Sequence, residues 1–417
     1  MVAAFALARL LDGARRPLLG ALAGAVCLTG NVLTGRTAFA LGLAAGLPAL
    51  LAVRSRRTAT AGLLAALAAA MSPVAGVFTG VAAVALLVTG RRRDGLAIGV
   101  GTALPLLLTG VVFGQGGDAT IHWYDVWTGG LLSLAVLFAA PQRAVRVGAA
   151  LTVLGLGTAL LLTTPVGHNA GRLALVLAVP LVLALAPWRP VVVGAVVTAM
   201  VVLRPPLSVT DLRRAGDEAL TASFTAPVVA ELARRAPTGR VEAVPLREHA
   251  EALYLSEVAP LARGWLRQQD TLRAQLFYDG TLDAQTYRSW LRDSAVQYVA
   301  LADSRLDGAG RAEAELVRSG LPYLTEVWRS GAWTLYELVD PVPLAEGATV
   351  LGSTAQSLTL RVDTPREVRV HVRESRWLTL SGPGCLLPDG RWLRLRAERA
   401  GTFVLSSALQ LRPAAAC

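Results

Sequence analysis

The sequence predicts an α-helical polytopic membrane domain of about nine spans, followed by an exterior α/β domain and a small C-terminal antiparallel β-sandwich. Three observations lead there. The first is composition: of 417 residues, 53% are hydrophobic and 17% charged, with mean hydropathy +0.50, whereas a soluble domain carries about 25% charged residues. The second is where the charge sits. Up to residue 205 there are 15 Arg and 4 Asp, and beyond it 25 Arg against 25 Asp and Glu, so the net +11 belongs to the first half (15 − 4). The third is a change of periodicity after Leu207, from long apolar runs to amphipathic and then alternating patterns. A purely soluble enzyme, a disordered chain and a coiled coil are thereby excluded. A pI of 10.6 would suit nucleic acid, but the basic half is the apolar half, which points to membrane orientation and to no nucleic-acid partner.

Residues 1–205 form the predicted transmembrane domain. A span needs roughly 20 apolar residues, and nine stretches approach this: Leu18 to Leu33, Thr37 to Val53, Thr58 to Met71, Val74 to Thr89, Gly95 to Phe113, Thr128 to Ala140, Val147 to Thr164, Leu173 to Ala186 and Pro190 to Leu203. Met1 to Arg16 reads as a short lead-in without a signal-peptide cleavage site. Cytoplasmic loops collect Arg. The clusters Arg9/Arg15/Arg16, Arg54/Arg56/Arg57, Arg91/Arg92/Arg93, Arg143/Arg146 and Arg189 fall on one side only if Ser72-Pro73 is a turn on the other. That places 12 Arg inside and leaves Arg36, Arg172 and Arg204 outside, in a multi-pass plasma-membrane protein with a cytoplasmic N-terminus and an extracytoplasmic C-terminal domain.

Residues 206–340 are expected to form the exterior α/β domain. Amphipathic helices are predicted over Thr210 to Arg235 and Asp283 to Ser294, a strand over Val296 to Leu301, a helix over Gly310 to Ser319, and a hairpin from Tyr323 to Trp328 and Trp333 to Val339. Residues 341–417 alternate at period two in SLTLRV, EVRVHV, WLTL, WLRLRA and TFVLSS, which predicts the sandwich. Cys385 and Cys417 both fall there, in an oxidising compartment if the orientation holds, and are expected to be bonded; Cys27 is expected to pack inside a span.

No phosphate-binding glycine loop, HExxH or CxxC metal spacing, or GxSxG elbow occurs. The polar residues that remain cluster at the expected outer surface. The loop Gly114 to Trp127 carries Asp118, His122 and Asp125 among Trp123, Tyr124 and Trp127; it reads either as a site with carboxylates for acid-base work or as an interfacial aromatic belt. Arg36, His168 and Arg172 form a second group. An Arg on the translocated side opposes the orientation signal, and binding the phosphate of a lipid-linked donor would account for it, as would a snorkelling anchor.

Three stretches carry a resemblance: GNVLTGRTAFALGLAAGLPAL (Gly30 to Leu50), MSPVAGVF (Met71 to Phe78) and LARGWLRQQDTLRAQLFYDGTLDAQTYRSWLRDSAVQYVALAD (Leu261 to Asp303). With them the chain resembles the large actinobacterial polytopic membrane proteins related to C-type glycosyltransferases, grouped with the 6-pyruvoyl-tetrahydropterin-synthase-related membrane domain. The resemblance implies transfer of a sugar from a polyprenyl phosphate to a cell-envelope acceptor, with a divalent metal if the protein is an active transferase. It also implies an N-terminally short chain, because relatives carry further spans before the point matching Met1. The family's acidic motif in the first outer loop has no counterpart: that segment is Thr34-Gly35-Arg36. Asp118 and Asp125 are then the only outer acids of the membrane half that could serve as catalytic carboxylates, with Arg36, His122, His168 and Arg172 as substrate-binding candidates. A truncated or inactive member is the corresponding expectation. The alternatives are a transporter component, which the lack of any mid-membrane acid disfavours, and a membrane-anchored scaffold with an exterior binding domain. In the third stretch, Trp265, Phe277, Tyr278, Tyr287, Trp290 and Tyr298 are spaced as core and interface residues, while Arg267, Asp270, Arg273 and Asp279 are either a ligand rim or surface pairs.

Overall fold

The computed structural model describes every residue except Gln115, Asp118, Leu207 and residues 409–416, and only the backbone of His168, Val209, Thr210 and Ala215. The chain divides into two compact units, Met1–Gly216 and Asp217–Cys417.

The first unit is helical. A short helix α1 (Val2–Leu10) precedes α2 (Pro17–Leu33), α3 (Thr37–Arg54), α4 (Thr58–Met71), α5 (Pro73–Val88), α6 (Arg92–Phe113), α7 (Trp123–Ala139), α8 (Arg143–Leu161), α9 (Arg172–Leu185) and α10 (Pro190–Leu203), and α11 (Val209–Ala215) closes the unit. Helices α2 to α10 coincide closely with the nine apolar stretches. Met71 and Pro73 belong to separate helices: Ser72 is extended, its hydroxyl accepts from the Ala75 N–H at 3.4 Å, and Pro73 occupies the first turn of α5, where its missing N–H costs nothing.

Among the described residues, α3, α6 and α8 are the helices long and apolar enough to cross a membrane by length and composition. The other six have 14 to 17 residues, about 21 to 26 Å of helix, short of a hydrocarbon core of about 30 Å. The nine helices stand, but nine crossings do not follow from them. The run Gly114 to Trp127, expected to be loop, is helical from Trp123 onward, so Asp125 lies in the first turn of α7.

The bundle packs through small residues. A Cβ on Gly101 of α6 would lie 2.2 Å from the Gly62 carbonyl of α4, and one on Gly62 would lie 3.0 Å from the Ala97 carbonyl. Backbones approach this closely only where side chains are absent, as in small-xxx-small helix pairs. At the other extreme, of the 22 residues of α6 only Gly95, Ile98 and Thr102 are buried, while Leu96, Val100, Leu104, Leu107, Leu108 and Val111 are exposed. Three arginines close helix C-termini. Arg54 donates to the carbonyls of Arg9, Leu10 and Asp12 at 3.0 to 3.1 Å, Arg91 to Val53 at 2.9 Å, and Arg16 to Ala186 and Trp188 at 3.0 and 3.1 Å.

In the second unit, α12 (Ala222–Arg235) is followed by β1 (Arg240–Ala243), α13 (Ala250–Leu255), α14 (Arg267–Arg273), α15 (Ala284–Asp293), β2 (Val296–Ala302), α16 (Gly308–Arg318), β3 (Leu324–Ser330) and β4 (Trp333–Leu338). The sheet runs β1-β2-β4-β3, with β1 parallel to β2 and the rest antiparallel. The helix expected over Thr210 to Arg235 is two, α11 and α12. Gly216 ends the first, and Asp217 and Thr221 cap a short 3-10 turn and α12, supplying acceptors that favour a fresh start over continuation. The second unit begins at Asp217. Strand β1 and helices α13 and α14 were not among the expected elements.

The remaining strands are β5 (Ala345–Glu346), β6 (Thr349–Ser353), β7 (Ser357–Val362), β8 (Arg366–Val370), β9 (Leu378–Ser381), β10 (Gly384–Asp389), β11 (Trp392–Ala397) and β12 (Gly401–Ser407). They form two antiparallel sheets, β10-β11-β8-β5 and β6-β7-β12-β9, over a core that includes Leu360, Val368, Leu395 and Phe403. Cys417 is bonded to Cys385 of β10, with Cα atoms 5.1 Å apart. The bond closes a loop of 32 residues. Replacing Cys417 by Ser is expected to destabilise the sandwich by on the order of 3 kcal/mol, measured as a drop in the denaturant midpoint against the unreduced protein, with an unchanged midpoint as the contrary result.

Candidate functional site

At the end of the helical unit where α2 joins α3, Arg36 stands at the N-terminus of α3, its N–H donating to the Asn31 carbonyl at 2.8 Å. It interacts electrostatically with Arg172, Arg204, Arg214 and Asp211. Arg172, the first residue of α9, lies with its guanidinium 5.7 Å from the centre of the Phe39 ring. Neither Arg36 nor Arg172 is ion-paired among the described residues. The chain therefore brings two of its expected substrate-binding residues into one electropositive group.

Asp125 is close to this group but engaged. Its carbonyl lies 3.8 Å from where a Cβ on Gly171 would be, which places it beside the start of α9. Its carboxylate is paired with Arg204 at 2.5 Å. Arg204 is itself held by Thr128 Oγ1 at 3.5 Å and lies over the Tyr124 ring at 5.2 Å, and the Tyr124 hydroxyl donates to the Leu203 carbonyl at 2.7 Å. Such a carboxylate is positioned to hold Arg204 rather than to accept a proton from substrate. His122 is exposed and precedes α7 without capping it. Asp118 and the side chain of His168 lie outside the described residues. Among the described residues no group of three or more His, Cys, Asp or Glu could hold a metal ion, so the residues seen do not fit the divalent metal that the resemblance implies.

A denser polar centre lies in the second unit, built on the stretch Leu261 to Asp303. Arg263 is buried, with Nε 2.9 Å from Glu242 Oε1 of β1, Nη2 2.8 Å from Glu313 Oε2 of α16, and Nη1 3.7 Å from Asp270 Oδ2 of α14. The Phe277 ring lies 3.6 Å from its guanidinium carbon. Tyr287 donates to Glu313 at 2.9 Å and Tyr278 to Asp270 at 2.5 Å. Three acids face one guanidinium. Burial therefore pushes Glu242 well above the ordinary carboxylate range, with Arg263 opposing and Glu313 and Asp270 adding to the shift. Asp270 is thus a member of a buried network, Arg267 pairs with Asp307, and Asp279 accepts from the Thr281 N–H and hydroxyl in a turn. Phe277, Tyr287, Trp290 and Tyr298 are core, whereas Trp265 is 65% exposed. Sequence patterns alone did not reveal Glu242 and Glu313, whose signal is an acid at a position that strand or helix periodicity assigns to the interior.

A second buried acid, Glu251 of α13, accepts from the Leu246 N–H at 3.1 Å through Oε1, while Oε2 has no hydrogen-bond partner. His249 lies 3.8 Å away, and its Nε2 is 3.1 Å from Asp307, which is held below the usual range by hydrogen bonds from His249 and the Ala309 N–H against the cost of burial.

No family model, curated protein or solved structure matches the chain.

Burial raises Glu251 from 4.5 to about 7. An acid whose pKa is raised on folding stabilises the fold fully below its unfolded value and loses that contribution as pH rises through the folded value. Stability is therefore expected to fall between about pH 4.5 and 7 by roughly 3 kcal/mol. Glu251→Gln should flatten this slope in chemical unfolding curves taken across that range; an equal slope in the variant would assign the pH dependence to other groups.

Proposed function

We propose that the protein is a multi-pass membrane protein of the C-type glycosyltransferase-like class that engages a polyprenyl-phosphate-linked sugar at the outer membrane surface. Its N-terminus is cytoplasmic and its second unit extracytoplasmic. The observation that carries the sugar-phosphate reading is the juxtaposition of Arg36 and Arg172 at one end of the bundle, neither in a salt bridge among the described residues although Asp211 acts on Arg36. Guanidinium groups so placed suit a phosphate, which offers charge and several acceptor oxygens. Membrane placement is supported by the exposed apolar flank of α6, which water would penalise along its whole length. Orientation is supported by the carbonyl contacts of Arg16, Arg54 and Arg91, which gather residues of four arginine-rich loops at one end of the helices. In this reading the shorter helices cross where the bilayer thins or loops dip in. With Asp125 committed to Arg204, transfer chemistry depends on Asp118, and binding of the lipid-linked sugar without transfer is the activity that the described residues support.

Reporter fusions after Arg57, Arg93 and Pro206 are expected to read inside, inside and outside; an inside signal at Pro206 would overturn the orientation. Purified protein is expected to bind decaprenyl phosphate in preference to the uncharged alcohol. Arg172→Gln should weaken that binding about tenfold, the scale of one charge-assisted hydrogen bond. Equal binding of the phosphate and the alcohol, or an unaffected variant, would remove the phosphate site.

A further inference from the structure

The second unit contains a cavity of about 500 Å³ beside the segment Leu261 to Trp265, walled by Arg240, Arg263, Arg273, Arg373, Asp270 and Trp265. Its charge is unbalanced. Arg240 donates only to backbone carbonyls, of Ser294 at 2.8 Å and His371 at 2.5 Å. Arg373 rests over the Trp392 ring at 5.0 Å, and Arg273 is exposed. None of these three is ion-paired among the described residues, whereas Arg263 on the same wall is. The one acid on the wall, Asp270, is already shared by Arg263 and Tyr278. Nη1 of Arg263 is buried, and Asp270 at 3.7 Å is too far to accept a hydrogen bond from it. The three arginines also oppose one another. Burial and the nearby Arg373 bring Arg240 down to about 10, and burial and Arg273 lower Arg373. Positive groups collected around a cavity whose one acid is already shared are what an anion site requires.

The anion is not alone. Trp265, 65% exposed, also borders a second cavity of about 820 Å³ that shares Arg240, Leu261, Arg263 and Gly264 with the first. That cavity is walled mainly by apolar side chains such as Leu253, Leu261 and Leu405, with Ser353, Thr354, Gln356, Ser357 and Ser407 among its polar ones. An exposed indole between guanidinium groups and a wall that mixes apolar faces with hydroxyl and amide groups suits a ligand that has an apolar ring face, hydroxyls and one anionic group.

We propose that this region binds an acidic saccharide, a sugar bearing a phosphate or carboxylate. Arg240, Arg273 and Arg373 hold the anion, and Trp265 lies against the ring. The site is distinct from Arg36 and Arg172 and stands whether or not the lipid-phosphate reading does.

The test is calorimetric titration of the full chain in detergent at low ionic strength with glucose 1-phosphate, glucuronate, inorganic phosphate and glucose. Saturable binding is expected for glucose 1-phosphate or glucuronate, about tenfold tighter than for inorganic phosphate. Arg273→Gln and Arg373→Gln should each weaken it about tenfold. Arg373→Gln should also leave the thermal midpoint unchanged or raised, because it removes a repulsion; a purely structural arginine would lower it. Trp265→Ala should weaken glucose 1-phosphate binding and spare inorganic phosphate. Arg172→Gln should have no effect, which separates this site from the membrane one. The proposal is overturned if no probe saturates below about 10 mM, if Arg273→Gln binds as tightly as the parent, or if inorganic phosphate and glucose 1-phosphate bind equally and ignore Trp265→Ala.

Discussion

One guanidinium shared among three carboxylates organises the second unit. Arg263 reaches β1 through Glu242, α14 through Asp270 and α16 through Glu313, with Phe277 beneath it. Burying these charges is costly, and the arrangement persists because each partner offsets the desolvation of the others. Leaving a buried pair half-made costs about 3 to 5 kcal/mol. The same centre fixes the cavity walls. Arg240 is two residues from Glu242 on β1, and residues two apart on a strand share a face. Trp265 is two residues beyond Arg263, and both residues line the two cavities.

The helical unit depends on a different economy. Its interior mixes small residues, with Ala49, Ala61, Ala65 and Ala68 wholly buried, and large ones such as Phe39, Leu132, Leu156 and Val182, while along α6 most large apolar side chains are exposed. Close backbone approach, polar contacts such as Thr79 with Thr102 at 2.9 Å, and arginines on terminal carbonyls add to the packing of this bundle.

Helix positions in the first unit were legible because apolar runs and the Pro and Arg breaks between them are strong local signals; the Ser72-Pro73 break was readable only with the sidedness of the arginine clusters, since a proline by itself also suits one kinked helix. Crossing number was less legible, since the length of a run does not say whether a 14-residue helix such as α4 spans a membrane. In the second unit the alternating segments β7, β8, β11 and β12 and the Asp283-capped α15 were visible for the same local reason. Strand β1 was hidden: four residues, Arg240 to Ala243, two of them charged, form a strand only because β2 offers a parallel partner more than fifty residues later. The buried acids Glu242 and Glu313 were illegible for a related reason, as their partner lies in neither of their own elements. Asp270 and Arg273 could be singled out as polar members of the Leu261 to Asp303 stretch, but their different fates, one buried and paired, the other open and unpaired, are decided by tertiary neighbours.

The contact between Gly62 and Gly101 bears on how the bundle is made. Helices α4 and α6 meet there across the intervening α5, and Gly101 is synthesised 39 residues after Gly62. At a translation rate of about 5 to 20 residues per second, the small-residue face of α4 waits some 2 to 8 s for its partner. During that interval the face around Gly62 lacks the α6 backbone that covers it, and a helix with a side chain in place of Gly101 cannot take that position, because a Cβ there would lie 2.2 Å from the Gly62 carbonyl.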